Sequence, residues 1–252
     1  MTLDRQQRDW EQLAEVDPLW AVLTRADKRR GGWDRGEFLA TGEHEVGEVM
    51  RTVAELGKPL ELRRALDFGC GAGRLTRALA GRFETAVGVD IAEGMVETAR
   101  ALNSDLDGCE FRVNRSVDLG QFGDGEFDFV YSSLVLQHLP DRELVRGYVA
   151  EFLRVAAPTG LVVFGLPARI SWPHRLEVSR RLYGALQRAR IEGDTLLRRT
   201  RLTPMRMTAV PEAEMRAFLV ECGATVLRTD LRDAGSVRTV RYYVAPGSGV
   251  VV

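Results

Sequence analysis

Alternating glycines follow the first short apolar segment that reads as a strand. Residues 66–74 read Leu-Asp-Phe-Gly-Cys-Gly-Ala-Gly-Arg, and a helical pattern begins directly afterwards at Leu75. Glycine has no Cβ, so a loop of this kind lets a ligand approach the bare backbone. The helix that follows points its unpaired N–H groups toward the same place. The stretch therefore predicts a ligand-binding loop between a strand and a helix.

The spacing of this loop is Asp67-x-Gly69-x-Gly71-x-Gly73, which differs from the G-x-G-x-x-G of dinucleotide-binding enzymes. A second acidic residue, Asp90, ends the next apolar segment. The loop, the acidic strand end and the later landmarks stand in an order that resembles the class I S-adenosylmethionine (SAM)-dependent methyltransferases. This resemblance covers roughly the C-terminal three quarters of the chain. It implies SAM as the cofactor.

The resemblance also implies which residues meet each part of SAM. The methionine part is expected at the loop, where the Gly69 and Gly71 amides donate and Asp67 accepts from the amine or from a water. Arg74 is either a further contact there or a solvated surface charge. Asp90 is expected to accept from the two ribose hydroxyls. The core residues predicted to bind the cofactor are Asp67, Gly69, Cys70, Gly71, Arg74, Asp90, Ile91, Met95, Ser116, Val117, Ser133 and Leu134.

The adenine contact departs from the family's usual pattern. Members of the family commonly carry an acidic residue after the third strand, but Asn114 and Arg115 stand at that strand end. Ser116 and Val117 are therefore the expected adenine contacts, while Ile91 and Met95 are expected beside the ring.

His138 is the candidate catalytic residue. It follows the fourth apolar segment, which resembles the family segment near the cofactor sulfur, and its ordinary pKa near 6.5 suits a general base. The same position in the family is often a structural histidine bonded to backbone, so both roles stay open. His44, His174 and Tyr183 are further titratable candidates. Three dispersed histidines without ligand spacing predict no metal site.

Residues 1–64 are predicted to form a helical extension. Asp17-Pro18 and the Asp34/Glu37 pair are typical helix starts, and Thr41 is expected to cap a further helix. Small-molecule members of the family often fold such a segment over the cofactor as a lid. The lid residues predicted to touch SAM are Trp33, Thr41 and Gly42, with Phe38 beside them, in a segment 27–42 that orders when the cofactor binds. The alternative is that Trp33 and Phe38 simply pack the extension onto the core.

Residues 65–252 alternate strand and helix, which predicts a doubly wound α/β fold with a seven-stranded, mostly parallel sheet. The last strand is expected to be antiparallel, as the resemblance implies. The predicted strands are 65–68, 85–89, 109–113, 127–132, 161–166, 225–229 and 239–245. The segment 167–210 is too long for a plain connection between two elements, which predicts a helical cap over the substrate.

A helix that begins at Pro211 is expected to turn Phe218 and Cys222 inward.

The composition excludes several classes of protein. At 252 residues with a net charge of −1, the chain gives no reason to expect nucleic-acid or membrane binding. The N-terminus is too polar for a signal peptide. Three cysteines without metal-ligand spacing favour a reducing, cytoplasmic location.

These patterns predict transfer of a methyl group from SAM to an oxygen, nitrogen or carbon atom of a small molecule. Ten arginines in the insertion, against three acidic residues, suggest an anionic acceptor, a solvated face or contact with a second copy in a homodimer. The main alternative is a SAM-binding fold that is inert or repurposed, either as a structural partner or as a pocket for a reaction other than methyl transfer. A nicotinamide oxidoreductase is disfavoured by the glycine spacing. Methylation of nucleic acid is disfavoured because the chain has neither a basic net charge nor a base-flipping segment.

Overall fold

The computed structural model describes residues 3–171, 177–200 and 202–247. Three helices precede the first strand, and helices and strands alternate afterwards. The helices are α1 (Leu3–Val16), α2 (Pro18–Val22), α3 (Arg35–Glu55), α4 (Arg74–Ala80), α5 (Glu93–Leu102), α6 (Arg142–Val155), α7 (Val178–Arg188), α8 (Gly193–Arg199) and α9 (Glu212–Glu221), with 3₁₀ turns at Ala26–Lys28 and Leu136–His138. The strands are β1 (Arg64–Phe68), β2 (Thr85–Asp90), β3 (Cys109–Val113), β4 (Phe127–Ser132), β5 (Ala156–Ile170), β6 (Thr225–Asp233) and β7 (Val237–Ala245).

All seven strands form one sheet in the order β3-β2-β1-β4-β5-β7-β6. The pairs among β1 to β5 are parallel, and β7 runs antiparallel to both β5 and β6. The predicted fold class is therefore confirmed, including the antiparallel last strand. The strand order reverses between β1 and β4, so the carboxyl ends of these strands flank the crevice where open α/β sheets bind ligands.

Helices cover both faces of the sheet. On one face α3 and α4 pack against β1, β4 and β5, and on the other α6 and α9 do so. Val46, Val49 and Val53 of α3 are all buried in this layer. The last helix of the N-terminal segment is therefore part of the core and shares its hydrophobic stabilisation.

The N-terminal helix starts follow the capping pattern only in part. The Asp17 carboxylate accepts from Trp20 N at 3.4 Å and that of Asp34 accepts from Glu37 N at 3.0 Å, which confirms both predicted caps. The predicted cap at Thr41 is wrong, because α3 continues through this position and the Thr41 hydroxyl donates to the Phe38 carbonyl.

The fifth strand is longer than predicted. It begins at Ala156, well before the predicted start at residue 161, and its pairing with β4 shifts register between these two positions. An added Cβ on Gly160 would lie 2.9 Å from the Asp128 carbonyl oxygen, which explains the glycine there. Because the strand continues to Ile170, the insertion starts later than residue 167. At the end of α9, Cys222 is exposed, so its predicted inward orientation is wrong.

Candidate functional site

The glycine loop has the backbone that its sequence predicts. Gly69, Gly71 and Gly73 have φ values of 74°, 51° and 81°, a region that side chains disfavour. An added Cβ on Gly69 would lie 2.3 Å from Val135, and one on Gly71 would lie 2.4 Å from Val22. Close approach as well as backbone shape therefore requires glycine in this loop.

The loop amides are already engaged. Gly69 N donates to the Val89 carbonyl at 2.8 Å, and Gly71 N donates to Asp90 Oδ2 at 2.9 Å. These two amides, which we predicted as donors to the methionine part of SAM, hold the loop against β2 instead. Neither of these two amides is therefore available to a ligand in this arrangement.

Asp90 ends β2 directly beside the loop. Its two carboxylate oxygens accept from Gly71 N and, at 3.0 Å, from Ala92 N. Burial raises the pKa of Asp90, and the two amide donors oppose that shift. Each oxygen keeps a further lone pair, so the carboxylate is held in place and can still accept from two hydroxyl groups.

A cavity of about 700 Å³ opens at this edge of the sheet. Its size lies within the usual range for small-molecule and cofactor sites. The structure brings together at its wall most of the predicted core residues, together with the candidate base. These are Gly69, Cys70, Gly71, Arg74, Asp90, Ile91, Met95, Ser133, Leu134 and His138.

Asp67 lies beneath the loop and does not line the cavity. It is fully buried, and its Oδ2 accepts from the Thr76 hydroxyl at 2.7 Å. Burial raises its pKa to about 7. Asp67 therefore holds the helix that follows the loop and does not reach the SAM amine directly; its predicted acceptance from a water stays a prediction.

The expected adenine contacts also lie elsewhere. Ser116 bonds to Asp118, and Val117 is 58% exposed to solvent, so neither reaches the cavity. Asn114 lines it instead, with a buried side chain that donates to the Asp118 carbonyl. The signal for Asn114 was its position at the strand end, which we passed over because it lacks a carboxylate.

The predicted lid residues pack behind the loop. Trp33 and Phe38 are buried together with Trp20 and Ala72, which matches the alternative prediction that they pack the extension onto the core. An added Cβ on Gly42 would lie only 2.1 Å from the Arg74 carbonyl oxygen, so this glycine permits close packing of α3 on α4. Trp33, Thr41 and Gly42 are all absent from the cavity wall.

Other N-terminal residues cover the cavity. Leu3, Gln6 and Trp10 of α1 line it, as do residues 21–25 at the end of α2 and just after it. The Glu11 carboxylate fixes α1 by accepting from Glu93 N at 2.7 Å and from Gly94 N at 3.1 Å, at the start of α5. A carboxylate at a helix N-terminus is favourable. The N-terminal segment does lie over the cavity, but through α1 and residues 21–25 and not through the predicted segment 27–42.

His138 is held on both sides of its ring. Nδ1 lies 2.6 Å from the Arg206 carbonyl oxygen, which can only accept, so Nδ1 carries the proton. Nε2 therefore has the lone pair and lies 3.2 Å from Gln137 Nε2. Trp10 packs edge-on against the ring with centroids 5.3 Å apart. Burial lowers the pKa of His138, so the imidazole is neutral at pH 7.

The insertion forms part of the cavity wall through its apolar and a few polar residues. Val178, Met205 and Met207 line the cavity, and Arg180 lines it while paired with Glu177. The other insertion arginines that the structure describes do not line the cavity: Arg169, Arg181, Arg188, Arg190, Arg198, Arg199 and Arg206. His174, Arg175 and Arg201 lie outside the described residues.

The remaining titratable candidates are away from the cavity. The Tyr183 hydroxyl is buried and donates to Gln12 Oε1 at 2.7 Å. The His44 side chain is 76% exposed beside Glu48.

Two absences hold for the described part of the chain. No group of three or more histidine, cysteine, aspartate or glutamate side chains there could hold a metal ion. Within residues 3–171, 177–200 and 202–247, no helix combines the length and the apolar character that a bilayer span needs.

Known proteins match both the sequence and the fold. Residues 66–164 match the methyltransferase domain family. The ubiquinone biosynthesis O-methyltransferase of Thiobacillus denitrificans is 32% identical over 134 residues, which cover 52% of this chain and 56% of that protein. The tocopherol O-methyltransferase of Arabidopsis thaliana is 31% identical over 119 residues, which cover 46% of this chain and 32% of that one. The chain spans about half the length of the curated relatives it matches first.

A solved structure with a similar fold is the magnesium protoporphyrin IX methyltransferase of Synechocystis PCC 6803 with bound S-adenosylhomocysteine (SAH). Its TM-score is 0.62 at 19% identity, covering 98% of this chain and all of that one. A SAM-dependent methyltransferase from Methanosarcina mazei has a TM-score of 0.57 at 20% identity, covering 76% and 95%. At these identities the likeness shows the fold. The region that matches the methyltransferase domain family, residues 66–164, contains the glycine loop, Asp90 and Ser133, which lie around one crevice.

Proposed function

We propose that this chain is a SAM-dependent methyltransferase that acts on a hydroxyl group of a small, largely apolar molecule. The observation that carries the proposal is the cavity at the switch point of the sheet, whose wall combines the glycine loop and Asp90 with apolar side chains of α1 and of the insertion. We assign the part at the loop and Asp90 as the polar end and the part at the apolar side chains as the other end, since a methyl transfer needs two ligands that meet in one cavity.

The residues at the polar end fit SAM part by part. Asp90 offers its remaining lone pairs to the ribose hydroxyls, and Ile91, Met95 and Asn114 offer an apolar slot with one amide for the adenine. Arg74 is 2% exposed, and its Nε has no hydrogen-bond partner among the described residues. An unpaired buried donor beside the loop suits the carboxylate of an amino acid. Bound SAM supplies an activated methyl group, so the protein's main task is alignment.

The other end of the cavity indicates the acceptor class. Trp10, Leu134, Val178, Met205 and Met207 give it an apolar wall. Two similar proteins are named as O-methyltransferases of ubiquinone biosynthesis and of tocopherol, which favours a lipophilic hydroxyl compound here as well.

An anionic group on the acceptor would have few partners at this wall. Arg25 and Arg180 line the cavity, and each already pairs with a carboxylate, from Asp27 and Glu177 respectively. We therefore place the apolar contacts first in recognition and assign any anionic group a secondary role.

His138 is the residue we assign as general base. His138 lines the cavity, and the bond from Nδ1 to the Arg206 carbonyl fixes the tautomer that accepts at Nε2. For this role the acceptor hydroxyl replaces the Gln137 amide at Nε2. Nε2 then takes the hydroxyl proton as the oxygen receives the methyl group.

The test is binding first and turnover second. Calorimetric titration with SAM, SAH and NADH should show binding of the first two only, and Asp90→Ala should weaken that binding about 100-fold or more. Labelled SAM with a panel of phenols of increasing apolar substitution should then give O-methylated product. Binding without turnover on any phenol, amine or thiol would favour the inert alternative, and binding of NADH alone would refute the proposal.

A cytoplasmic location and a homodimer also belong to the proposal. The three cysteines are free thiols, which suits a reducing compartment. Light scattering of the purified chain at several concentrations tests the homodimer.

A further inference from the structure

A carboxylate on α3, Glu45, receives four hydrogen bonds from distant parts of the fold. Its Oε1 accepts from the Tyr131 hydroxyl at 2.8 Å, from the Ser133 hydroxyl at 2.5 Å and from Arg241 Nη2 at 3.3 Å. Its Oε2 accepts from Arg74 Nη2 at 2.8 Å. The side chain is only 16% exposed. We call these five residues the Glu45 cluster.

Two members of the Glu45 cluster reach the cavity. Arg74 and Ser133 line its wall, whereas Glu45 itself lies behind them. A hydroxyl has one proton, and that of Ser133 is directed to Glu45, so toward the cavity the Ser133 oxygen can only accept. Arg74 presents a guanidinium whose Nε is buried without a partner among the described residues. The wall therefore offers a cation next to a hydrogen-bond acceptor.

Charge in the cluster is unbalanced. Burial alone would raise the pKa of Glu45, but Arg74 and the hydroxyl donors of Ser133 and Tyr131 outweigh it and lower the pKa to about 2. Glu45 is therefore ionised at neutral pH. One carboxylate stands against the guanidinium groups of Arg74 and Arg241, which leaves the three side chains with a net charge of +1. Glu45 alone thus does not neutralise both guanidinium groups, so Arg74 can also pair with a ligand carboxylate.

We propose that Glu45 is a positioning residue for the amino-acid end of SAM. It anchors Arg74 so that the guanidinium meets a carboxylate, and it takes the Ser133 proton so that the Ser133 oxygen meets an ammonium group. A zwitterionic α-amino acid group has both partners side by side. The inference rests on the proposed function, because SAM is the ligand that carries this group into the cavity.

A purely structural ion pair is the competing explanation. Gly42 allows α3 to approach α4 closely, and a buried pair between these helices would fix that contact whatever the cavity binds. The two explanations differ in which ligands they affect. A positioning role concerns only ligands with an amino-acid end, whereas a loosened α3 would disturb the whole site.

The test compares two ligands on Glu45→Gln. SAH carries the amino-acid end, and 5′-methylthioadenosine has the same nucleoside and thioether without it. We expect the dissociation constant of SAH to rise roughly tenfold or more, since charge-assisted hydrogen bonds are lost, while that of methylthioadenosine changes less than about threefold. Calorimetry on the full chain measures both.

The matched control is Glu48→Gln, one turn further along α3. Glu48 also pairs with an arginine, Arg232 at 3.1 Å, but its side chain is 37% exposed and does not line the cavity. This variant should bind both ligands as the wild type does. Thermal unfolding of the two variants shows how much stability each loses.

Ser133→Ala keeps the buried ion pair and removes only the oriented hydroxyl, so it tests the idea even where Glu45→Gln folds poorly. SAH should bind several-fold more weakly to it, with methylthioadenosine unchanged. Equal weakening of both ligands, or of neither, in Ser133→Ala and Glu45→Gln overturns the positioning role. Failure of the wild type to bind SAH would instead refute the proposed function, and the two failures are thus distinct.

Discussion

The two walls of the cavity are built in different ways. The first wall, formed by the glycine loop and the ends of β2 and β4, rests on strands that are buried on both faces. The second wall, formed by α1, the residues after α2 and the insertion, is a layer of side chains such as Trp10, Met205 and Met207. The first wall is fixed by backbone geometry and the second by side-chain contacts. We infer that the first holds the ligand common to the family and the second selects the acceptor.

A small set of polar contacts joins the two walls. Gln6 Nε2 donates to the His138 carbonyl at 3.2 Å, and Glu11 accepts from the first amides of α5. From the insertion, the Arg206 carbonyl accepts from His138 Nδ1 and Thr208 N donates to the Gln137 carbonyl, both at 2.6 Å. Segments held mainly by such contacts open at lower free energy than a core sheet. We therefore expect the second wall to move when ligands enter.

The largest effect is expected from Asp90→Ala, which removes the acceptor at the centre of the first wall. SAH should bind about 100-fold more weakly or worse, because two charge-assisted hydrogen bonds of about 1.5–3 kcal/mol each are lost. Calorimetry measures this. Asp118→Ala, an exposed acidic residue after β3, is the control and should bind normally. Unchanged affinity in Asp90→Ala would remove the ribose assignment.

His138→Gln tests whether His138, which lies where the two walls meet, acts as the general base. We expect kcat to fall by roughly 100-fold or more, the range of general-base effects, while SAH affinity is kept. In the wild type, kcat/KM should decline on acidification below a pKa that is under the ordinary 6.5, because burial lowers the pKa of His138. Activity within about tenfold of the wild type would make His138 a structural residue.

Trp10→Ala sharpens the assignment of the second wall. The KM of the acceptor should rise roughly tenfold through lost apolar contact, with the dissociation constant of SAH unaffected. Trp33→Phe is the matched control, since Trp33 is buried behind the loop and should alter stability only. The assignment fails if both variants change the acceptor KM equally.

Hydrogen exchange with and without SAH compares the walls directly. Amides of α1 and α2 should exchange up to about tenfold more slowly at a ligand concentration ten times the dissociation constant, if opening requires release of the ligand. The start of α3 should change little, because Phe38 is already buried without ligand. Protection confined to residues 27–42 would restore the lid as first predicted from the sequence.

The smallest effect concerns the support beneath the first wall. Burial raises the pKa of Asp67 from 3.8 to about 7, so its contribution to stability is full below pH 3.8 and is lost as the pH rises through 7. Asp67→Asn should flatten the decline of Tm between pH 6 and 8 by about 2–4 °C. Thermal scans of both proteins measure the difference, and parallel curves would show that Asp67 ionises normally.

The first wall could be predicted because its signals are local. The glycine spacing and Asp90 lie within 25 residues of sequence, and parallel strand order brings their ends together. The second wall could not, because it depends on contacts between distant residues, such as Gln6 with His138 and Val22 over Gly71. Side chains alone decide such contacts.

The error at the lid has a particular cause. Phe38, Gly42, Val46, Val49 and Val53 form one helical stripe, and all five are buried. Placing a helix start at Thr41 divided that stripe and left Phe38 free to be assigned to a lid. An uninterrupted 3.6-residue period would have predicted a core helix.

The close approach of α3 to α4 at Gly42 has a consequence for related sequences. A glycine inside a helix lowers stability by about 1 kcal/mol relative to alanine, so its presence in α3 calls for a reason. Here any side chain would strike the Arg74 carbonyl and move α3, and with it Glu45, away from the loop. Gly-x-x-Glu in the helix before the first strand is thus a searchable signature. In methyltransferases that have this signature, the glutamate should fix the side chains that bind the amino-acid end of the cofactor. Those with a bulkier residue in place of the glycine must fix these side chains by other contacts.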